Sequence, residues 1–291
     1  MPEPKLGLVL GSGGARGWAH IGVLQVLREK GIRPDLVVGT SIGSIVGAVL
    51  AEDRLDEVLD FAEKLDWSRA MKLFFEVGVH PDGLLRGTRV MEFLGRLLPV
   101  ETIEELPMPY AAVATDIHTG KTVVMTRGRV ADAIRASISI PGVFTPVRRG
   151  HRVLVDGGLS SPVPVDVARK MGAERVIAVN IDVAAPCPYH APPKGRIGKA
   201  IGFSDRVWTH LRETSPAVAK VFEGKDSGLG IFDVLLKTTR IAEDRIAAEE
   251  VRRTAPDILI EPAVGDILTM DFSRATDAIQ AGRDAAEAAL G

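Results

Sequence analysis

The chain has 291 residues, 46% of them hydrophobic and 25% charged, with a formal net charge of −2. That is enough chain for one large α/β domain or two small ones. The balanced charge removes any global electrostatic case for nucleic acid or an anionic membrane surface, and leaves only a local basic patch open. The single cysteine, Cys187, excludes an internal disulfide and fits a reducing compartment.

The first five residues lack a basic stretch leading into an apolar core, so no export signal is expected. No run approaches the length of a bilayer span. The expectation is a cytoplasmic protein that meets lipid from the water side, at most as a transient peripheral contact.

Residues 6–10, Leu-Gly-Leu-Val-Leu, read as a central parallel strand, apolar on both faces. A glycine-rich turn follows at 11–17. Residues 18–30 read as a helix with Ile21, Leu24, Val26 and Leu27 inward, closed by Gly31. A second strand is expected at 36–39 and a second helix at 42–52, rich in Gly, Ala and Val. This rhythm within about fifty residues implies a parallel α/β sheet. Further strands are expected at 111–114 and 121–125 around a turn at 116–120, and at 153–155, 176–181 and 258–260. Further helices are expected at 130–137, 163–171 and 272–290. Two stretches break the rhythm. Residues 66–86 carry Trp67, Phe74 and Phe75 with little strand character. Residues 184–230 are rich in Pro and Gly and read as a lid-like or binding insertion. No boundary argues for two domains, so one domain over 1–291 is expected.

Gly39-Thr40-Ser41-Ile42-Gly43 fits G-x-S-x-G, the turn that thrusts a serine out between a strand and a helix. The neighbours two residues away must be small for so tight a turn. The helix after it favours negative charge at the site. A serine that merely caps the helix is the competing reading. Gly11-Ser12-Gly13-Gly14-Ala15-Arg16-Gly17 fails the dinucleotide spacing, because Arg16 stands where glycine is required, and it lacks the Gly-Lys-Ser/Thr of a Walker loop. Adjacent glycines instead allow backbone N–H groups to approach a developing oxyanion, although a tight turn without a ligand has the same composition. A nucleophilic serine needs a base. None of the six histidines, His20, His80, His118, His151, His190 and His210, falls on a strand-end turn, and each reads as a surface or capping residue. Asp156, in Leu154-Val155-Asp156-Gly157-Gly158, ends an apolar strand and is the better candidate; a plain turn aspartate is its alternative.

Taken together, the glycine loop, the serine turn and Asp156-Gly157-Gly158 resemble the patatin-like phospholipase family in order, content and spacing. The segment from Ala136 to Phe144 is similar to the family's segment before its catalytic aspartate, and Asp116 with Thr119-Gly120 to its hairpin turn. The resemblance implies a three-layer α/β/α sandwich with a mostly parallel central sheet. It implies a serine hydrolase of lipid acyl esters (phospholipase A, lysophospholipase or esterase) working through a Ser–Asp dyad, with no cofactor and no metal. Carried over, Ser41 is the nucleophile and Asp156 the base, with Asp156 needing partial desolvation to act near neutral pH. The N–H groups of Gly13, Gly14 and Ala15 form the oxyanion hole. Arg16 supports the loop or meets a head group, or is a solvated first-turn arginine or the partner of a local carboxylate. Phe74, Phe75, Leu84 and Leu85 wall an acyl pocket, or are ordinary core. The expected partner is a lipid or acyl-ester substrate and not nucleic acid. A non-catalytic regulatory or lipid-binding protein on the same scaffold is the alternative, and a nucleotide-binding protein a weaker one. Acyl length, head group and oligomeric state stay open.

Overall fold

The computed structural model describes residues 5–63, 77–80, 83–85, 87–182 and 231–291. In chain order these form β1 (Leu6–Leu10), α1 (Trp18–Glu29), β2 (Leu36–Thr40), α2 (Ile42–Ala51), α3 (Leu55–Glu63), β3 (Val77–His80), β4 (Gly83–Leu85) and α4 (Thr88–Leu97). Then come β5 (Tyr110–Asp116), β6 (Thr122–Met125), α5 (Val130–Ser137), β7 (Val147–Arg149), β8 (Arg152–Asp156), α6 (Val165–Lys170) and β9 (Arg175–Val179). The chain closes with α7 (Ile231–Thr254), β10 (Ile258–Ile260) and α8 (Ala275–Leu290).

The main sheet has eight strands, paired in the order β10-β9-β1-β2-β5-β8-β7, with β6 also on β5. β10, β9, β1, β2 and β5 run parallel, while β6 and β8 run antiparallel to β5. Its central strands are apolar on both faces because helices cover both. Leu8, Leu10, Val37, Ala112 and Ala114 join the core on one face; Val9, Val38, Ala111 and Val113 join the core on the other. Alternation along an extended strand sends consecutive side chains to opposite layers. α1 to α5 and α8 contribute to the first layer, α6 and α7 to the second. The architecture is the expected α/β/α arrangement with a mostly parallel sheet.

The register of β5 places the candidate residues. Ala112 pairs with Gly39 on one side and Met125 on the other, and Ala114 pairs with Asp156 on one side and Val123 on the other. β6 therefore occupies one edge of β5, and β2 and β8 share the opposite edge, meeting head to head. Thr40 ends against Val113 and Asp156 against Ala114, so Ser41 and Asp156 leave their strands at one point.

Three long elements depart from the sequence expectation. α3, α4 and α7 are helices that the strand–turn–helix rhythm did not mark. The stretch expected to have little strand character contains the antiparallel β3–β4 ribbon. Phe74, Phe75 and the 184–230 insertion lie outside the described residues, as do the side chains of Leu84 and Leu85.

Candidate active site

Ser41 has φ 55° and ψ −123°, a conformation that L-residues avoid. The turn is held by close packing. A Cβ on Gly39 would come within 2.1 Å of the Gly43 carbonyl oxygen, and a Cβ on Gly43 within 2.1 Å of that of Leu10. Ser41 does not cap α2 with its side chain. Its Oγ donates to Asp156 Oδ2 at 2.5 Å, and its N–H donates to Ser137 Oγ at 2.9 Å. Ser137 Oγ donates onward to the Val113 carbonyl at 2.6 Å, which ties the turn to β5.

Asp156 is 1% exposed. Its Oδ1 accepts from the Gly158 N–H at 2.8 Å, so the carboxylate caps its own turn with one oxygen and receives the serine with the other. Its N–H donates to the Ser139 carbonyl at 2.9 Å, and Thr115 Oγ1 donates to its carbonyl at 2.8 Å. Burial lifts the Asp156 carboxyl from 3.8 to about 7, against the pull of the hydrogen bonds from Ser41 and Gly158. Glu243 on α7 packs above the pair: a Cβ on Gly158 would meet Glu243 Oε1 at 2.7 Å. Burial first, then the Asp156 and Asp182 carboxylates, push Glu243 well above the usual carboxylate range.

Gly13 and Gly14 have φ of 156° and 59°. The Gly13 carbonyl accepts from Arg16 Nε at 3.0 Å. In a trans peptide the N–H of the next residue points the opposite way, so this bond orients the Gly14 N–H. Among the described residues, neither the Gly13 nor the Gly14 N–H has a hydrogen-bond partner. Ala15 differs from the expectation: its N–H donates to the Thr269 carbonyl at 2.8 Å and is not available to a substrate. Arg16 departs from the head-group and solvated readings and is the partner of a local carboxylate. At 1% exposed it has no surface to offer a head group, and it pairs with Asp182 Oδ1 at 2.5 Å. Asp182 Oδ2 in turn accepts from Ser12 Oγ at 2.8 Å.

Among the described residues no histidine touches Ser41 or Asp156. His20 is wholly buried, not a surface or capping residue. Its Nε2 lies 2.9 Å from the Gly11 carbonyl, and burial holds the imidazole down at about 4. His118 and His151 are exposed. Also among the described residues, no group of three or more His, Cys, Asp or Glu could hold a metal ion, and no helix is long and apolar enough to cross a membrane.

The cleft forks at Ser41. The polar branch is lined by Ser12, Asp156, Thr239, Arg240 and Glu243. The apolar branch is a cavity of about 420 Å³ under Ile42, Ile45, Phe144 and Phe272, open in part to solvent. It shares Ile42, Ile45, Val90 and Phe272 with an inner apolar cavity of about 570 Å³ that reaches Trp18, Phe61 and Phe93. Phe61 stacks between the other two aromatics, 6.4 Å from Trp18 and 4.5 Å from Phe93.

Losing Arg16 should be costly. Arg16→Ala leaves Asp182 buried without its cation, and removing one partner of a buried ion pair costs about 3–5 kcal/mol. Urea unfolding should show that loss at an unchanged slope. Arg16→Ala combined with Asp182→Ala should recover part of it.

The sheet is that of a patatin-type fold, and the chain belongs to the patatin-like phospholipase family: residues 8–169 match the family described as Patatin-like phospholipase. The NTE family protein Rv1063c of Mycobacterium tuberculosis is 33% identical over 99% of this chain and 92% of its own. The patatin-like phospholipase domain-containing protein 7 of Rattus norvegicus is 37% identical over 60% of this chain and 13% of its own. VipD of Legionella pneumophila shares the fold, with a TM-score of 0.53 at 16% identity over 99% of this chain and 67% of that one.

Proposed function

We propose that the protein is a lipid acyl hydrolase working through Ser41 and Asp156 alone. The observation that carries this is the 2.5 Å hydrogen bond from a serine in a strained strand-to-helix turn to a buried carboxyl raised to about 7. Ser41 Oγ attacks the ester carbonyl and its proton passes to Asp156 Oδ2. The Gly13 and Gly14 N–H groups stabilise the oxyanion, each such donor being worth about 10²–10³-fold in rate. The tetrahedral intermediate collapses, the C–O bond to the leaving alcohol breaks, and that alcohol takes the proton from Asp156. Water then attacks the acyl-enzyme, gives its proton to Asp156, and the free acid leaves as Ser41 regains its hydrogen. Membership of the patatin-like phospholipase family and the fork at Ser41 support a lipid substrate. The apolar branch takes the acyl chain and the polar branch, beneath α7, the leaving group.

Ile42, Ile45, Val46 and Val49 lie on one face of α2 and line the inner apolar cavity, and Ile42 and Ile45 also line the acyl branch. Hydrolysis of p-nitrophenyl esters of increasing chain length and of phospholipid, with fluorophosphonate labelling alongside, tests the reading. Activity on none of these substrates together with absent labelling would refute it. Ile45→Trp should block the branch. Long-chain esters should lose about tenfold or more in kcat/KM while the acetate ester changes little.

A further inference from the structure

Between Ile117 and Val155 the chain carries seven Lys and Arg residues against one acidic residue, Asp132, although the whole chain is at −2. Folding gathers most of this excess on one surface. Lys121, Arg127, Arg149, His151 and Arg152 line two adjoining open grooves, of about 840 and 690 Å³, between β6 and the β7–β8 hairpin. All five of these side chains are exposed, as is the neighbouring Arg148. Of the two remaining cations of the segment, Arg129 lines neither groove, and Arg135 turns inward to Ser139 and Thr145. The nearby carboxylates are engaged locally: Asp116 accepts from Thr119 Oγ1 and the His118 N–H, and Glu104 from the Gly128 N–H.

Two large apolar side chains are exposed beside these cations: Val124 at 42% and Ile117, next to the groove residue His118, at 53%. Val124 lines one of the grooves. The other exposed large apolar residues of the described chain, Val234, Leu235 and Ile241, are on α7, whose Leu236, Thr239, Arg240 and Glu243 line the cleft over Ser41. The basic surface also lies towards the reactive end of the sheet. Arg152 pairs with Arg149 two residues beyond the Asp116–Leu154 pair, and at about 3.3 Å per strand residue it is roughly 13 Å along β8 from Asp156.

We infer that this β6–β8 surface docks the protein on a lipid surface bearing anionic head groups, with Lys121, Arg127, Arg149 and Arg152 meeting the phosphates and Ile117 and Val124 entering the interface. Charge complementarity selects the anionic lipid. The exposed apolar pair among the cations distinguishes a bilayer from a nucleic acid, which presents no apolar layer to receive them. The inference rests on the proposed lipid hydrolase only for its purpose, since binding can be read without turnover.

The test uses the full chain as Ser41→Ala, so that vesicles are not consumed, in a flotation assay. Binding is expected to vesicles containing phosphatidylglycerol, much more weakly to pure phosphatidylcholine, and to fall as salt rises from 50 to 500 mM. Each cation near such a surface contributes about fivefold. Lys121→Glu/Arg127→Glu/Arg149→Glu should therefore bind on the order of 100-fold more weakly. The same triple variant with Ser41 intact should hydrolyse a soluble short-chain ester at the unaltered rate, which shows that it folds. Equal binding to both vesicle types, binding to neither, or undiminished binding by the triple variant would overturn the docking surface. So would retention on RNA with no retention on vesicles. Loss of ester hydrolysis in the parent protein would overturn the hydrolase instead and leave the vesicle result standing.

Discussion

Ser41→Ala should lower kcat on any ester substrate by on the order of 10⁴-fold, with a folded protein and little change in KM. The Oγ makes a single hydrogen bond, to Asp156, and reaches neither the α2 backbone nor the core. Its removal therefore eliminates the attacking atom without unpacking the turn, whose N–H remains bonded to Ser137. Fluorophosphonate labelling should vanish in parallel. Residual activity within tenfold of the parent would mean that another group attacks. The backbone makes a companion prediction. Ser41 sits at φ 55°, where a Cβ costs about 1 kcal/mol, so Ser41→Gly should be as inactive as Ser41→Ala but more stable by roughly that amount in urea unfolding.

Asp156→Asn should abolish hydrolysis and stabilise the protein at alkaline pH. The base must be ionised, and burial places the carboxyl at about 7, so kcat/KM should rise through pH 7 and level off above it. The stability prediction follows from linkage. The folded value, about 7, lies above the unfolded value near 3.8, so the native state binds this proton more tightly. That contribution is fully present below about pH 4 and is lost as pH rises to about 7. Above pH 7 the native protein holds a charged, desolvated carboxylate, at a cost on the order of 4 kcal/mol. Asparagine keeps the shape and carries no charge. Thermal unfolding at pH 8 should therefore give a higher Tm for Asp156→Asn than for the parent, with the gap shrinking towards pH 5. Glu250, lifted to about 7 by burial, loses stability over the same interval in both proteins and cancels from the comparison. A gap independent of pH would show that the Asp156 carboxyl is not raised.

Much of the site is legible before folding because its constraints are local. Gly39 and Gly43 are required by contacts within the turn itself and with β1, the strand beside it. The adjacent glycines at 13 and 14 are required by backbone angles. Among the described residues no histidine reaches Ser41 or Asp156, in keeping with their positions in the sequence, while His20 is buried in the core and not on the surface. What is not legible is long-range. Ser137 and Ser139, which hold the Ser41 and Asp156 backbones, look like ordinary polar residues at the end of α5. The Thr269 carbonyl that occupies the Ala15 N–H lies 254 residues away. α7, which carries Glu243 over the pair, has no strong apolar stripe, because most of its length is exposed and only residues such as Ala247 and Glu250 are buried. Periodicity reports a helix only when one face is uniformly apolar.

The amino-acid sequence by itself determined that a parallel α/β sheet presents a serine turn, a glycine loop and a strand-end aspartate, since each needs only a few neighbouring residues to take its shape. It also determined the absence of a dinucleotide or Walker loop. Tertiary structure decided that Ser41 and Asp156 meet, because β2 and β8 share one edge of β5 and end against Val113 and Ala114. It decided that the Asp156 carboxyl is lifted to about 7, because proton affinity is set by the layers that exclude water from it. It also decided that cations spread over 117–155 stand on one face, since charge patterning along a chain says nothing of which strands a sheet will bring together.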